Sequence, residues 1–107
     1  MKDTARFVHQ RACVLGGGVS GIAAARLLAL HGGCVTLLDA APEAQLTQAR
    51  EALAGSGVLL RGGVGETLPD EPFTLCIASP SFAPEHPWLR ACTARGIPVA
   101  GEMELGY

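Results

Sequence analysis

A glycine-rich turn contains the first residues of this sequence that could do chemistry. Gly16, Gly18 and Gly21 form a G-x-G-x-x-G pattern directly after an apolar run. In nucleotide-binding turns of this kind, the first glycine permits a tight turn, the second lets a phosphate approach the backbone, and the third lets the next helix pack on the strand. Amide groups at the helix start would then face the anion, and Ser20 could donate a hydroxyl hydrogen bond. The pattern predicts phosphate binding, with a turn that serves packing alone as the alternative.

Three other segments follow apolar runs and are candidates for the same site. Asp39 could accept hydrogen bonds from a ribose hydroxyl, or it could cap the helix that comes next. Gly62 and Gly63 would let a flat base approach, although a plain turn is the other interpretation. Ser79, in Ser79-Pro80-Ser81, is either a ligand contact or a turn residue that bonds to its own backbone. Because ligands of parallel sheets bind at the carboxyl ends of the strands, all these segments belong to one predicted site.

The elements that must position these residues alternate regularly along the chain. Short apolar runs predict strands at residues 12–15, 35–38, 58–60, 75–78 and 97–100. Helical patterns run from the glycine turn to about His31, from Pro42 to Gly55, and from His86-Pro87 to Gly96. Strands separated by helices imply right-handed crossovers. We therefore predict an α/β fold, a single Rossmann-like domain whose five-stranded parallel sheet has the order 3-2-1-4-5 and helices on both faces. Residues 1–101 would form this domain, and 102–107 would begin an exit helix or linker.

Composition excludes several function classes. The chain has 107 residues, 49% of them hydrophobic, and a net charge of −2, which suits one globular domain and gives no reason to expect nucleic acid as a partner. No apolar run approaches the roughly 18 residues that a membrane span needs, and no signal peptide is evident. We expect a cytoplasmic protein with no membrane partner.

No residues stand out as a catalytic or metal-binding group. Lys2 is the only lysine, so a P-loop is excluded, and we assign no catalytic residue. The four cysteines have no C-x-x-C pair and no ligand spacing to histidine, so we interpret them as buried thiols and predict no metal site. The chain is expected to bind a ligand without transforming it.

A set of motifs, in order along the chain, resembles the amino-terminal domain of the Mur ligases that add D-glutamate. The set covers roughly residues 12–105 and consists of Val14–Leu28 around the glycine turn, Ala78-Ser79-Pro80-Ser81, Glu85-His86-Pro87, Ala94–Val99 and Gly101-Glu102-Met103-Glu104-Leu105. The glycine turn alone is unspecific, whereas the later motifs in this order are more specific. Ser81 departs from the family's usual glycine, and Ala40 and Ala41 replace polar residues found in relatives.

The resemblance implies that this domain holds the UDP portion of UDP-N-acetylmuramoyl-L-alanine. Val19 and Ser20 would contact the diphosphate and uridine. Asp39, Ala40, Ala41, Gly63 and Val64 would lie near the uracil, and Ser79 and Pro80 would lie across the switch point from the glycine turn. It also implies that ATP, Mg²⁺ and the ligation chemistry belong to a central domain, with a third domain closing the site, so that this domain has no cofactor of its own. The chain would be an excised fragment or a natural short relative.

Two other interpretations remain open from the residues alone. An NAD(H)-binding domain of an oxidoreductase or regulatory protein would use the same glycine turn and Asp39. A docking module with an empty nucleotide fold would bind no nucleotide at all.

Overall fold

A five-stranded parallel sheet organises the protein. The structure, a computed structural model, describes residues 10–16, 18–79, 82–83 and 85–101. The strands are β1 (Arg11–Leu15), β2 (Cys34–Leu38), β3 (Leu59–Arg61), β4 (Leu75–Ala78) and β5 (Val99–Gly101), and the helices are α1 (Val19–Leu30), α2 (Thr47–Leu53) and α3 (Pro87–Ala94). All strand pairs are parallel, in the order β3-β2-β1-β4-β5. The predicted fold class and strand order are confirmed.

The core has two layers, one on each face of the sheet. On one face, β1 residues Ala12 and Val14 pack with α1 residues such as Leu28. On the other face, Cys13 and Leu15 pack with Trp88 and Cys92 of α3. Because successive strand residues point to opposite faces, a strand buried on both sides is mostly apolar, which explains the apolar runs of β1 and β4. The central strand β2 has one polar residue, the buried Thr36.

The second helix differs from its prediction. It does not run continuously from Pro42: a single 3₁₀ turn covers Glu43–Gln45, and α2 starts only at Thr47. Between them Leu46 has φ −109° and ψ 28°, which is outside the helical range, while its side chain is buried. The predicted continuous helix therefore missed the interruption that lets Leu46 reach the core, beside Ala49 and Leu53 of α2.

The strand limits at both edges of the sheet also shift slightly. β3 begins at Leu59 rather than residue 58, and β5 begins at Val99 rather than residue 97. Pro98 lacks an amide hydrogen, and its carbonyl accepts a hydrogen bond from Cys76 N at 2.9 Å, so regular pairing starts after it. Residues 102–107, with the predicted exit helix, lie outside the described residues. Within the part that is described, no helix is long and apolar enough to span a membrane.

Candidate ligand site

Four strands end level with one another at the carboxyl edge of the sheet. Their paired last residues are Leu15, Leu38, Arg61 and Ala78. The residues that directly follow them are Gly16, Asp39, Gly62 and Ser79. The four segments predicted to form the site therefore lie side by side, at the edge where parallel sheets bind ligands.

The first and third glycines of the turn have structural roles that other residues could not fill. Gly16 has φ +95°, in the left-handed region, and its amide donates to Leu38 O at 2.7 Å. At Gly21, a Cβ would collide with the carbonyl oxygen of Gly16. The close contact between α1 and the end of β1 therefore depends on glycine at both positions.

The second glycine differs because the space in front of it is open. Gly18 is the N-cap of α1 with extended backbone (φ −75°, ψ −179°), and a Cβ there would meet no described atom within 4 Å. Val19 and Ser20 are exposed, Val19 to 87%, and the first turn of α1 has no acidic residue. The amide groups at the start of α1 can therefore accept an anion from solvent. Gly17 lies outside the described residues.

Replacing Gly21 with alanine should lower the free energy of unfolding by about 1–3 kcal/mol, because the backbone of the turn must move to admit the methyl group. Chemical denaturation measures this. Gly18→Ala is the matched control, since its methyl group enters open space, and it should cost less than about 1 kcal/mol. Equal losses in the two variants would contradict the packing role of Gly21.

Asp39 closes a turn at the end of β2. Its Oδ1 accepts a hydrogen bond from Ala41 N at 2.8 Å, and its carbonyl accepts one from Val64 N at 3.1 Å. The alternative that Asp39 caps the next helix is wrong, because Pro42 is the N-cap of the 3₁₀ turn and Leu46 that of α2. The contact with Ala41 instead fixes the shape of the loop that carries Ala40 and Ala41.

The loops after β2 and β3 are held together through glycine. A Cβ on Gly62 would lie 2.7 Å from Ala41 O, so only glycine fits there. Gly63 has φ +68°, donates its amide to Ala41 O at 2.7 Å, and has open space where a side chain would be. These glycines are therefore more than a plain turn, because they bring Val64 beside the loop after β2.

A groove of about 360 Å³ lies beside these two loops. Its lining combines two predicted site residues with five that the sequence analysis did not assign to the site: Ala40 and Val64, then Gly65, Glu66, His86, Pro87 and Trp88. Trp88 donates its indole N–H to Gly65 O at 2.7 Å, so its ring packs over the loop after β3. The His86-Pro87 helix start was the signal that could have identified this wall, because it places α3 at the carboxyl edge.

Aromatic side chains connect the groove with the glycine turn. The Phe82 ring lies 4.9 Å from the His86 ring, centroid to centroid, and a Cβ on Gly16 would be 3.4 Å from Phe82 Cε1. His86 Nδ1 accepts from Trp88 N at 3.1 Å, so a neutral His86 has its proton on Nε2. Ser79 O accepts from Phe82 N at 3.0 Å. Pro80 and Ser81 lie outside the described residues.

A second concavity, of about 660 Å³, lies away from this edge. It is lined by residues of α1 and of the loop after α2: Ala23, Arg26, Leu27, Ala29, Leu30, Gly55 and Ser56. Arg26 is the one charged residue in that lining, and no strand end reaches it. The larger volume of this second concavity therefore does not make it the candidate ligand site. The candidate site is instead the edge where the four strand ends converge.

Three of the four cysteines come together on the α3 side of the sheet. Cys34 is exposed, whereas Cys13, Cys76 and Cys92 are buried and their sulfur atoms all lie within 4.8 Å of one another. Hydrogen bonds with the Cys13 and Cys76 thiols, together with the positive charge of Arg95, hold the pKa of Cys92 below its usual value. The pKa of Cys76 is raised by its hydrogen bonds with Cys13 and Cys92 and by burial. The prediction of buried thiols is therefore confirmed for Cys13, Cys76 and Cys92 and wrong for Cys34, which is exposed at the start of β2. The three buried thiols form a group that could hold a metal ion, so the expectation of no metal site stays a prediction.

Comparison with known proteins found no matching family model. Curated proteins do match. The UDP-N-acetylmuramoylalanine–D-glutamate ligase of Geobacillus kaustophilus (strain HTA426) is 37% identical over 108 residues, covering 100% of this chain and 24% of that protein. The ligase of the same name from Streptococcus pneumoniae (strain Hungary19A-6) is 36% identical over 107 residues, with the same coverage. The chain thus spans about a quarter of the length of the curated relatives that it matches.

Proposed function

Since this chain is homologous along its full length to the amino-terminal quarter of UDP-N-acetylmuramoylalanine–D-glutamate ligases, we propose that it binds the UDP portion of UDP-N-acetylmuramoyl-L-alanine within such a ligase. The observation that carries the proposal is the alignment of four strand ends beside the open start of α1. The open start of α1 would hold the diphosphate, and the groove beside Ala40 and Val64 at the same edge would hold the nucleoside.

The diphosphate belongs at the glycine turn in this proposal. Open space at Gly18 admits phosphate oxygens, the α1 dipole favours negative charge, and the Ser20 hydroxyl is exposed beside them. Val19 would pack against the sugar–phosphate chain, which would account for an apolar side chain that is 87% exposed. Ser79 directly follows β4, the strand next to β1, and would contact the ligand from that side. The proposal also includes Pro80, which lies outside the described residues.

The uridine belongs at the loops after β2 and β3. Asp39, Ala40, Ala41, Gly63 and Val64 would contact it, and the groove beside Ala40 and Val64 has room for a pyrimidine. The two alanines offer the base no side-chain hydrogen bonds, so the polar contacts there are with backbone groups. One carboxylate oxygen of Asp39 would still accept the hydrogen bond from Ala41 N while the carboxylate also contacts the ribose.

Ligation itself is assigned to no residue of this chain. Its one lysine, Lys2, lies outside the described residues, and no P-loop pattern is present to hold ATP. ATP, Mg²⁺ and the attack by D-glutamate would belong to other domains of the ligase, which would also be partners of this one. We include a cytoplasmic location in the proposal.

Ligand-linked stability tests this proposal against its two alternatives. UDP and UDP-N-acetylmuramoyl-L-alanine should raise the free energy of unfolding, by about 2.7 kcal/mol at a ligand concentration 100 times the Kd, and NAD should not. Denaturation midpoints at millimolar ligand give the measurement. Stabilisation by NAD alone would instead support an NAD(H)-binding domain, which also uses an acid such as Asp39. No response to any of the three would support the docking module.

A further inference from the structure

A compact group of three thiols lies on the face of the sheet that α3 covers, apart from the ligand site. Cys13 of β1 and Cys76 of β4 are directly paired in register, and Cys92 projects from α3. All three side chains have 0% exposure. We call Cys13, Cys76 and Cys92 the thiol cluster.

The geometry of the thiol cluster suits a single metal ion. Three sulfurs bound to one ion at about 2.3 Å lie about 4 Å apart when the ion is in their plane. The present sulfurs all lie within 4.8 Å of one another, which is close to that arrangement. Proteins bind soft ions such as Cu(I) through thiolates, while hard ions prefer oxygen.

The number of ligands separates the candidate ions. No histidine, aspartate or glutamate joins the three cysteines within the described residues, and the cluster is closed to solvent. Structural Zn²⁺ sites are almost always tetrahedral with four protein ligands. A buried set of three sulfurs instead fits an ion that is stable with two or three ligands.

We propose that the thiol cluster is a binding site for one soft, low-coordinate metal ion, with Cu(I) as its representative. Binding displaces thiol protons to solvent and forms metal–sulfur bonds, without a change in oxidation state. The ion would connect α3 to the two central strands. Because α3 has only eight residues and helices this short are marginal alone, local opening of α3 gives the ion its route to the buried sulfurs.

The test loads the reduced 107-residue chain with Cu(I) during anaerobic refolding, and then exposes it to a Cu(I) chelator. Native mass spectrometry counts the ions retained per chain. Cys92→Ala and Cys13→Ala each remove one ligand, and Cys34→Ala is the matched control because Cys34 is exposed. Amide NMR spectra confirm that each variant is folded. X-ray absorption of the loaded chain counts the sulfur neighbours directly, so the test does not depend on the variants alone.

The expected result is one Cu(I) per chain with three sulfur neighbours, retained equally by Cys34→Ala and held at least 10-fold more weakly by Cys92→Ala and Cys13→Ala. No retained ion in the unsubstituted chain would overturn the proposal. Retention that is lost only in Cys34→Ala would also overturn it, as would retention of Zn²⁺ in preference to Cu(I).

Discussion

Replacing Gly18 with valine should abolish nucleotide binding while the fold remains intact. The branched side chain would fill the open space before α1, where a diphosphate must reach the amide groups. We expect binding at least 100-fold weaker, a loss of about 2.8 kcal/mol. The backbone at Gly18 is extended, which valine adopts readily, so unfolding should remain cooperative with a stability change of about 1 kcal/mol or less. A calorimetric or NMR titration with UDP-N-acetylmuramoyl-L-alanine measures the affinity.

Ala54→Val provides the matched control for that experiment. Ala54 is exposed, has extended backbone (φ −58°, ψ 133°) after α2, and is not part of the carboxyl edge. The Ala54→Val variant introduces the same side chain away from the proposed phosphate position. It should bind UDP-N-acetylmuramoyl-L-alanine with the affinity of the unsubstituted protein. Unchanged affinity in Gly18→Val would show that the diphosphate is placed wrongly.

Replacing Trp88 with alanine should have the largest effect on stability, lowering the free energy of unfolding by about 3–5 kcal/mol. The side chain is only 3% exposed in the core beneath α3, and its indole N–H donates to Gly65 O at 2.7 Å. The free energy of unfolding of a domain is about 5–15 kcal/mol in total, so the variant should be close to unfolded in mild denaturant. Urea denaturation followed by far-UV circular dichroism measures the loss.

Trp88→Phe separates the ring from its hydrogen bond. Phenylalanine keeps most of the apolar contact but leaves Gly65 O without the indole donor, so we expect a smaller loss of about 1–2 kcal/mol. The loop after β3 should also become more mobile, because Trp88 connects it to α3. If Trp88→Ala lowered the free energy of unfolding by less than about 1 kcal/mol, Trp88 would not have the central role in the α3 side of the core that we assign to it.

The central strands could be predicted from sequence because burial on both faces makes them almost entirely apolar, with the buried Thr36 of β2 as an exception. Residues 75–78 were predicted with the observed bounds of β4, while β1 and β2 each begin one residue earlier than predicted, at the exposed Arg11 and Cys34. Edge strands are less constrained, and β3, where Leu59 is exposed, shifted by one residue. The break at Leu46 depends on how a side chain reaches the core, which helical periodicity does not report.

The sequence predicted which segments form the candidate site, but not the contacts that shape it. Strand order alone places Gly16, Asp39, Gly62 and Ser79 along one edge. Whether Asp39 caps the next helix depended on where that helix begins, which has no local signal in the sequence. The α3 wall of the groove had one signal, the His86-Pro87 helix start, but the contact of Trp88 with Gly65 depended on side-chain packing.

The sequence contained enough information to predict that two members of the thiol cluster are neighbours, but this was not predicted. Cys13 and Cys76 each lie two residues before the end of their predicted strands, and those strands are neighbours in the predicted order. These positions make the two residues adjacent and place them on the same face of the sheet, a consequence that the prediction of separate buried thiols did not include. Searching for ligand spacing along the chain could not reveal this, because the three cysteines come from separate elements.

The central claim is that UDP binds at the carboxyl edge, and an amide NMR titration with UDP-N-acetylmuramoyl-L-alanine, UDP and NAD in turn tests it most directly. The method detects millimolar binding, which corresponds to only about 4 kcal/mol. We predict shifts at Gly18–Gly21, Asp39 and Gly63 with the two uridine ligands and none with NAD. Shifts with NAD alone, or uridine-dependent shifts confined to residues away from this edge, would contradict the claim.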